Sequence, residues 1–354
     1  MTAAPEPAPS CVADRAPRSG GILDPVPAPD GAPQPLPAAV GTVFATAVDA
    51  GTLDLPLPGS GATADRWARL ARLGRRDLSV GRLAEGHADA VAILAGHDRI
   101  ARPGARYGVW ASRAGGGARI GSGAGGLRLA GTVRFCSGTH LLDRALVVAG
   151  TGATGTRMVE LDLHDPRIER RGGAWRAAGM AAADTQDVVL HDVPVPPEAV
   201  VGGPDAYTRR PGFAHGGAGV AAVWLGGAAG IVDEVAGGLC PRSRHGERDP
   251  HRLAGFGGMH AAVAGADALL RVTAECIDAA PDDPHAVAVA TVRAAVERAC
   301  RTVLDAAPEC AGVGALAGSD GFAARLADLQ VYLRQHHGDR DRAELGGLVL
   351  DGGA

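Results

Sequence analysis

The sequence predicts an α+β chain in three successive parts: an N-terminal helical segment, a small antiparallel β domain, and a bundle of four long helices. Three observations carry this prediction. Apolar residues recur near a period of 3.6 at 67, 70, 73, 78, 80 and 83, and again at 90, 91, 93 and 94. Glycine-rich text with short alternating runs takes over at about residue 103. Long alanine-rich helical text returns after RRPGF (209–213) and persists to the end.

Each part has a local reason. Residues 1–38 carry ten prolines, which remove backbone donors and fix φ, so a tail without regular structure is expected there. Helical patterning starts at Val40, is broken by LPLPGSGATADRW (55–67), and resumes with Thr63 or Asp65 as the expected N-cap and an interruption near Gly74. Residues 39–102 form this helical part. Between 103 and 208, LRLAGTVRF, MVELDLHD and DVVLHDVPV alternate as strands do, and glycine is too frequent for long helices. From 209 to 354, stretches beginning at Gly219, His260, His285 and Gly321 predict four helices.

Composition narrows the function classes. The chain has 354 residues, 46% of them hydrophobic and 21% charged, enough for a sizeable core. A formal net charge of -4 with no concentrated basic patch argues against nucleic acid as partner. Every basic residue except histidine is Arg; the absence of Lys excludes Schiff-base lysine chemistry and a lysine phosphate loop. Cysteines at 11, 136, 240, 276, 300 and 310 form no CxxC pair and no zinc-type spacing with His, so reduced thiols and a cytoplasmic location are expected. The N-terminus lacks an apolar signal-like segment, and no run of 18 apolar residues predicts a membrane span.

The stretch RFCSG (134–138) closes an alternating run and places an aromatic, a thiol, a hydroxyl and a glycine at a strand end. LRLAGTVRFCSGTHLLDRALVVAG resembles a segment of the acyl-CoA dehydrogenase superfamily, in which a hydroxyl residue follows an aromatic strand end. GGAWRAAGMAAADTQDVVLHDVPVPPEAVVGG (172–203) resembles the family's Asp-Val and Val-Pro segment. The resemblance spans roughly residues 40–350 and implies a helical domain, a middle antiparallel β-barrel and a C-terminal four-helix bundle. It also implies FAD as cofactor, with Phe135 and Cys136 beside the flavin ring and the Ser137 hydroxyl near its N5 edge. Tyr107, Trp110 and Ser112 stand in the place of a second flavin segment, although YGVWASRAGGG lacks that segment's usual Thr-Glu-Pro and Gly-Ser-Asp. Arg252 ahead of Phe256-Gly257 stands near the place of an arginine that reaches a neighbouring subunit's FAD pyrophosphate, one residue farther than in the family. A homodimer or homotetramer is implied with it. Plain barrel core is the alternative for Phe135 and Cys136, and a solvated helix start for Arg252.

The resemblance leaves the chemistry open between dehydrogenation of an acyl thioester such as acyl-CoA and oxygenation by flavin received from a reductase partner. A non-catalytic binding module on the same fold is the third reading. Dehydrogenation needs a desolvated carboxylate as base. Matching the family's Arg-Asp pair to Ala327-Asp328 puts that position near Ser319, next to Asp320, with Glu309 as a second candidate; Asp320 in AGSDGF is equally a helix cap. Oxygenases of this fold carry a His seven or eight residues after that pair, and His336 and His337 fall eight and nine residues after Asp328. An imidazole there could hold or move a proton beside the flavin; a solvated helix end is the alternative. His215 at a helix start is a further candidate, as is the Arg82, Glu85 and His87 group near a substrate entrance.

Overall fold

The computed structural model describes residues 22–23, 37–123, 125–152, 155–210, 212–239, 249–318 and 320–352. Nearly all of the proline-rich segment, and Cys11 and Cys240, lie outside the described residues. Three helices open the chain: α1 (Pro37–Asp49), α2 (Thr63–Arg76) and α3 (Leu78–Ala95). The expected cap of α2 needs correction. Ala62 holds the cap position without a side-chain bond. Asp278, 215 residues away, accepts from both the Thr63 backbone N–H (2.9 Å) and its hydroxyl (2.6 Å). A carboxylate suits the orphan donors and positive end of a helix wherever in the chain it comes from. The helix does not break at Gly74 but at Asp77, whose carboxylate accepts from Val80 N at 2.8 Å and starts α3.

The middle of the chain forms one eight-stranded sheet. Its strands are β1 (Tyr107–Trp110), β2 (Gly117–Gly123), β3 (Gly126–Cys136), β4 (Arg144–Gly150), β5 (Thr156–Asp162), β6 (Ile168–Arg171), β7 (Gln186–Val195) and β8 (Val200–Val201). The order is β6-β7-β3-β2-β4-β5-β8, with β1 paired to β4. The expected closed antiparallel barrel is not observed. β1 takes Arg144–Val147 of β4 and β2 takes Ala149–Gly150, both in parallel register, so the two strands share one edge of β4 end to end. Among the described residues β6 and β8 make no pairing that would close the sheet. The remaining pairings are antiparallel. The β3–β7 register shifts between Val133 and Cys136, and this irregularity shapes the strand end discussed below.

A short helix α4 (Ala206–Arg209) leads into α5 (Gly212–Leu239), α6 (Pro250–Ala279) and α7 (Ala286–Ala311). Then come α8 (Val313–Gly318), α9 (Asp320–Tyr332) and α10 (Asp339–Leu350). α5, α6, α7 and α9 are the four expected helices. By composition α5 and α6 are long and apolar enough to cross a membrane; 83% of the α5 window is buried inside the protein, against 22% for α6. A helix apolar on all sides belongs in a core, and Val223, Trp224 and Leu225 of α5 are wholly buried.

Close helix approach explains the glycines of α5. A Cβ at Gly226 would stand 2.0 Å from the Ala71 carbonyl oxygen of α2. A backbone atom cannot move away as a side chain can, so Gly226→Ala is expected to cost about 1–3 kcal/mol. Gly237→Ala, on the same helix with nothing within 4 Å of the new methyl, should be neutral or stabilising by up to about 1 kcal/mol. Thermal unfolding of the two variants checks the contrast; equal melting temperatures would show that α2 and α5 do not touch at Gly226.

Candidate active site

A cleft of about 1310 Å³ lies where the end of the sheet meets the helices. The β1 end contributes Trp110 and Ser112, and the β3 end contributes Phe135 and Ser137. α3 contributes Arg82, Glu85 and Asp89, and α7 contributes Arg293. Tyr207, Arg210 and Phe213 come from the α4–α5 turn, and Tyr332, His336 and His337 from the end of α9.

The RFCSG strand end is built by the register shift. Phe135 has φ +61°, a left-handed conformation that costs a non-glycine residue about 1–2 kcal/mol. Its ring is turned out of the ladder, 51% exposed, with the Arg134 guanidinium 4.9 Å from its centroid. Cys136 points the other way into the sheet core with no exposure, and burial pushes its thiol pKa up. The expected flavin contact at Cys136 is therefore corrected: its neutral thiol belongs to the core. The Ser137 and Thr185 hydroxyls share a hydrogen bond of 3.1 Å, and Trp110 Nε1 donates to the Ser137 carbonyl at 3.1 Å. Tyr107, in the same expected segment, is core: its hydroxyl donates to Glu160 at 2.9 Å.

The floor of the cleft is charged. Arg82 pairs with Glu85, one turn apart on α3, and the Tyr332 hydroxyl donates to Glu85 Oε1 at 3.2 Å. Burial raises the Glu85 carboxyl to about 6 against the opposing pull of Arg82. At Arg82 burial opposes the charge, but Glu85, Tyr332 and Asp89 outweigh it and push the pKa up. Asp89 is held by the buried Arg66 at 3.2 Å.

His336 is buried, and burial pulls its pKa below the usual value. The Gly338 N–H donates to its Nδ1 at 3.2 Å, which assigns the proton of the neutral ring to Nε2. His337 sits at the rim, its side chain 62% exposed, beside Asp341 at 3.2 Å.

Of the residues expected at a site, the cleft thus gathers Trp110, Ser112, Phe135, Ser137, Arg82, Glu85, His336 and His337. Others lie elsewhere. His215 is buried beside the cleft-lining Ala214 and Gly216, but its Nε2 is engaged by the Asp283 carbonyl at 3.0 Å and its ring stands near His285. Helical rotation turns it away from the cleft. His87 accepts from the Tyr107 N–H at 3.1 Å, and burial lowers its pKa to about 4; it ties α3 to β1. Arg252 donates to the Cys310 carbonyl and Phe256 stacks on His260, both outside the cleft of this chain. Glu309 is exposed and outside the cleft. The Asp320 side chain lies outside the described residues. Asp328 accepts from the Met180 N–H and anchors that loop to α9, its carboxyl pushed up to about 6 by burial. Sequence reading passed over Asp89, Tyr207, Arg210, Arg293 and Tyr332, which converge from four elements with no shared local motif. Among the described residues no cluster of three metal-ligating side chains occurs.

Solved structures of the same shape exist. TdsC from Paenibacillus sp. A11-2, bound to FMN, superposes with a TM-score of 0.71 at 19% identity, over 89% of this chain and 96% of that one. A further structure of TdsC describes it as a dibenzothiophene monooxygenase. Methanesulfinate monooxygenase MsuC from Pseudomonas fluorescens gives 0.74 at 17% identity, over 89% and 96%. The FAD complex of PigA gives 0.72 at 14% identity, over 88% and 89%. No protein-family model and no curated protein sequence matches the chain.

Proposed function

We infer that this chain, which has the acyl-CoA dehydrogenase fold, is a flavin-dependent monooxygenase of a small organic molecule. Its flavin, FMN or FAD, would arrive reduced from a separate reductase. The observation that carries this reading is the convergence of the Phe135–Ser137 strand end with His336 and His337, about 200 residues later in the chain, on one cleft. Two structures of the same shape are monooxygenases by name, and two carry a bound flavin.

The residues fit a flavin. The cleft exceeds the roughly 300–1,000 Å³ of a drug-sized pocket, leaving room for a ring system and a substrate together. Phe135 and Trp175 offer flat apolar surface, backed by the buried Trp110, and the Ser137–Thr185 hydroxyl pair offers adjustable donors and acceptors. A reduced flavin supplies electrons to dioxygen; the protein's part is positioning and proton control. The Ser137 hydroxyl, fixed by Thr185 and by the Trp110 bond to its carbonyl, would hold the edge of the ring. Neutral His336 presents Nε2–H as a donor for which no acceptor is found among the described residues. Glu85, with its raised pKa, can hold a proton at the floor.

Glu85 also supports the alternative reading, dehydrogenation of an acyl thioester, because it is a desolvated carboxylate in the cleft. Arg82 and Tyr332 already occupy it, which weighs against its acting as a free base. Visible absorption separates the two. The monooxygenase reading expects tight uptake of reduced FMN or FAD, rapid reoxidation by air, and no anaerobic bleaching of bound oxidised flavin by acyl-CoA. Bleaching by acyl-CoA would establish the dehydrogenase instead, and failure to take up either flavin would remove both.

A further inference from the structure

Six arginines line the cleft; Arg113, Arg334 and Arg340 are exposed, Arg82 is paired, and Arg210 and Arg293 are half-buried with no ion-paired carboxylate among the described residues. Arg66 is closed on Asp89 and Arg82 on Glu85. Among the described residues Arg210 donates only to the Tyr207 carbonyl, and its guanidinium lies 4.7 Å from the Tyr207 ring and 5.8 Å from the Phe213 ring. Arg293 donates to the carbonyls of Gly217 and Gln335 and lies 5.0 Å over the Trp224 ring. The carboxylates that act on them from farther away are engaged elsewhere. Asp89, which faces Arg210, holds Arg66; Glu85 and Asp341, which face Arg293 with Tyr332, hold Arg82 and His337.

A guanidinium has five N–H donors. Arg293 uses two and Arg210 one on protein acceptors, so each keeps donors for something else. Both are half-buried, and burial lowers both pKa values. Taking a cation out of water without a counter-ion is costly. Here each guanidinium lies against an aromatic ring instead, which offsets part of that cost. That arrangement prepares a rigid fork for a planar or tetrahedral anion. Both residues belong to the helical side of the cleft, whereas Trp110, Ser112, Phe135 and Ser137 belong to strand ends.

We propose that Arg210 and Arg293 form a clamp for an anionic group, a carboxylate or an oxyanion of phosphorus or sulfur, carried by the substrate. The substrate class is then an anionic organic molecule rather than an uncharged apolar one. The oxygenation of that molecule rests on the function proposed above; the clamp itself does not. A phosphate on the flavin offers the same chemistry, and the test separates the two sources.

Binding of inorganic phosphate and of benzoate is measured by calorimetry at low ionic strength, with benzyl alcohol as the uncharged counterpart of benzoate. The flavin-loaded chain is used, and the flavin-free chain in parallel. Saturable binding of both anions to the loaded chain, weaker at least tenfold in Arg210→Met and in Arg293→Met, with benzyl alcohol binding more weakly than benzoate, is the expected result. Arg210 makes a single local hydrogen bond, so its variant keeps the test valid if Arg293→Met disturbs folding. Absence of saturable anion binding, or equal binding by the variants, overturns the clamp. Affinity for FMN and for riboflavin is measured alongside. If the variants weaken FMN tenfold and spare riboflavin, the clamp serves the flavin phosphate and the substrate assignment is wrong. If the chain takes no flavin yet binds the anions through both arginines, the oxygenase reading fails and the clamp stands.

Discussion

Glu85→Ala is expected to lower the free energy of unfolding by about 3–5 kcal/mol, because it removes the partner of Arg82 and of the Tyr332 hydroxyl in the cleft. The Glu85 side chain is 5% exposed and that of Arg82 16%, so water compensates neither. The methyl group neither accepts from Tyr332 nor balances the guanidinium. Replacing both partners together, Arg82→Met with Glu85→Met, removes both desolvation costs and is expected to recover most of the loss. Urea unfolding at neutral pH measures all three chains. A Glu85→Ala midpoint equal to that of the parent would show that the pair contributes nothing. A second reading comes from pH. Burial holds the Glu85 carboxyl near 6 in the folded chain, above its ordinary 4.5. Between those values the folded state binds more protons than the unfolded one, so this group makes stability fall as pH rises through that interval. The Ala variant lacks that fall, so its deficit relative to the parent should be widest at the acid end and narrow toward neutral pH.

Trp224→Ala is expected to cost about 3–5 kcal/mol, as for other large core deletions. Trp224 has no exposure, meets the Tyr332 ring edge-on at 6.2 Å and carries the Arg293 guanidinium. The cavity would therefore loosen two cleft residues along with the core. Trp224→Phe should behave differently. The buried Nε1 finds no acceptor among the described residues, and an unsatisfied buried donor costs about 1–3 kcal/mol. Removing it offsets part of the lost ring area, so a net change within about 1 kcal/mol is expected. Chemical unfolding, with anion binding measured on each variant, checks both statements. A Phe variant as unstable as the Ala variant would mean that the indole nitrogen does have a partner.

Much of the candidate site was legible because its signals are local. RFCSG announced a strand end with an unusual aromatic and hydroxyl, and Phe135 and Ser137 do reach the cleft. His336 and His337 stood out as a pair closing the last long helical pattern. Cys136 shows the limit of adjacency: it lies between two cleft residues, yet strand alternation and the shift in register send its thiol into the core. His215 shows the helical equivalent, since its neighbours at 214 and 216 line the cleft and it does not. Arg210 and Arg293 carried no signal, because an arginine's meaning depends on whether a carboxylate stands near it, and the sequence does not say which carboxylates are already taken.

By itself the sequence determined the elements: where the 3.6-residue period builds α2, α3, α5, α6, α7 and α9, and where alternation builds the long strands. Those are properties of a few successive residues and need no partner to be read. Tertiary structure alone decided that β1 and β2 share one edge of β4 and so leave the sheet unclosed. It also decided that Asp278 caps a helix 215 residues earlier, and that Glu85 meets Tyr332 across 247 residues. Contacts over such separations depend on which faces pack against which. That choice is made by the burial of whole helices and sheets together, and no local pattern in the chain encodes it.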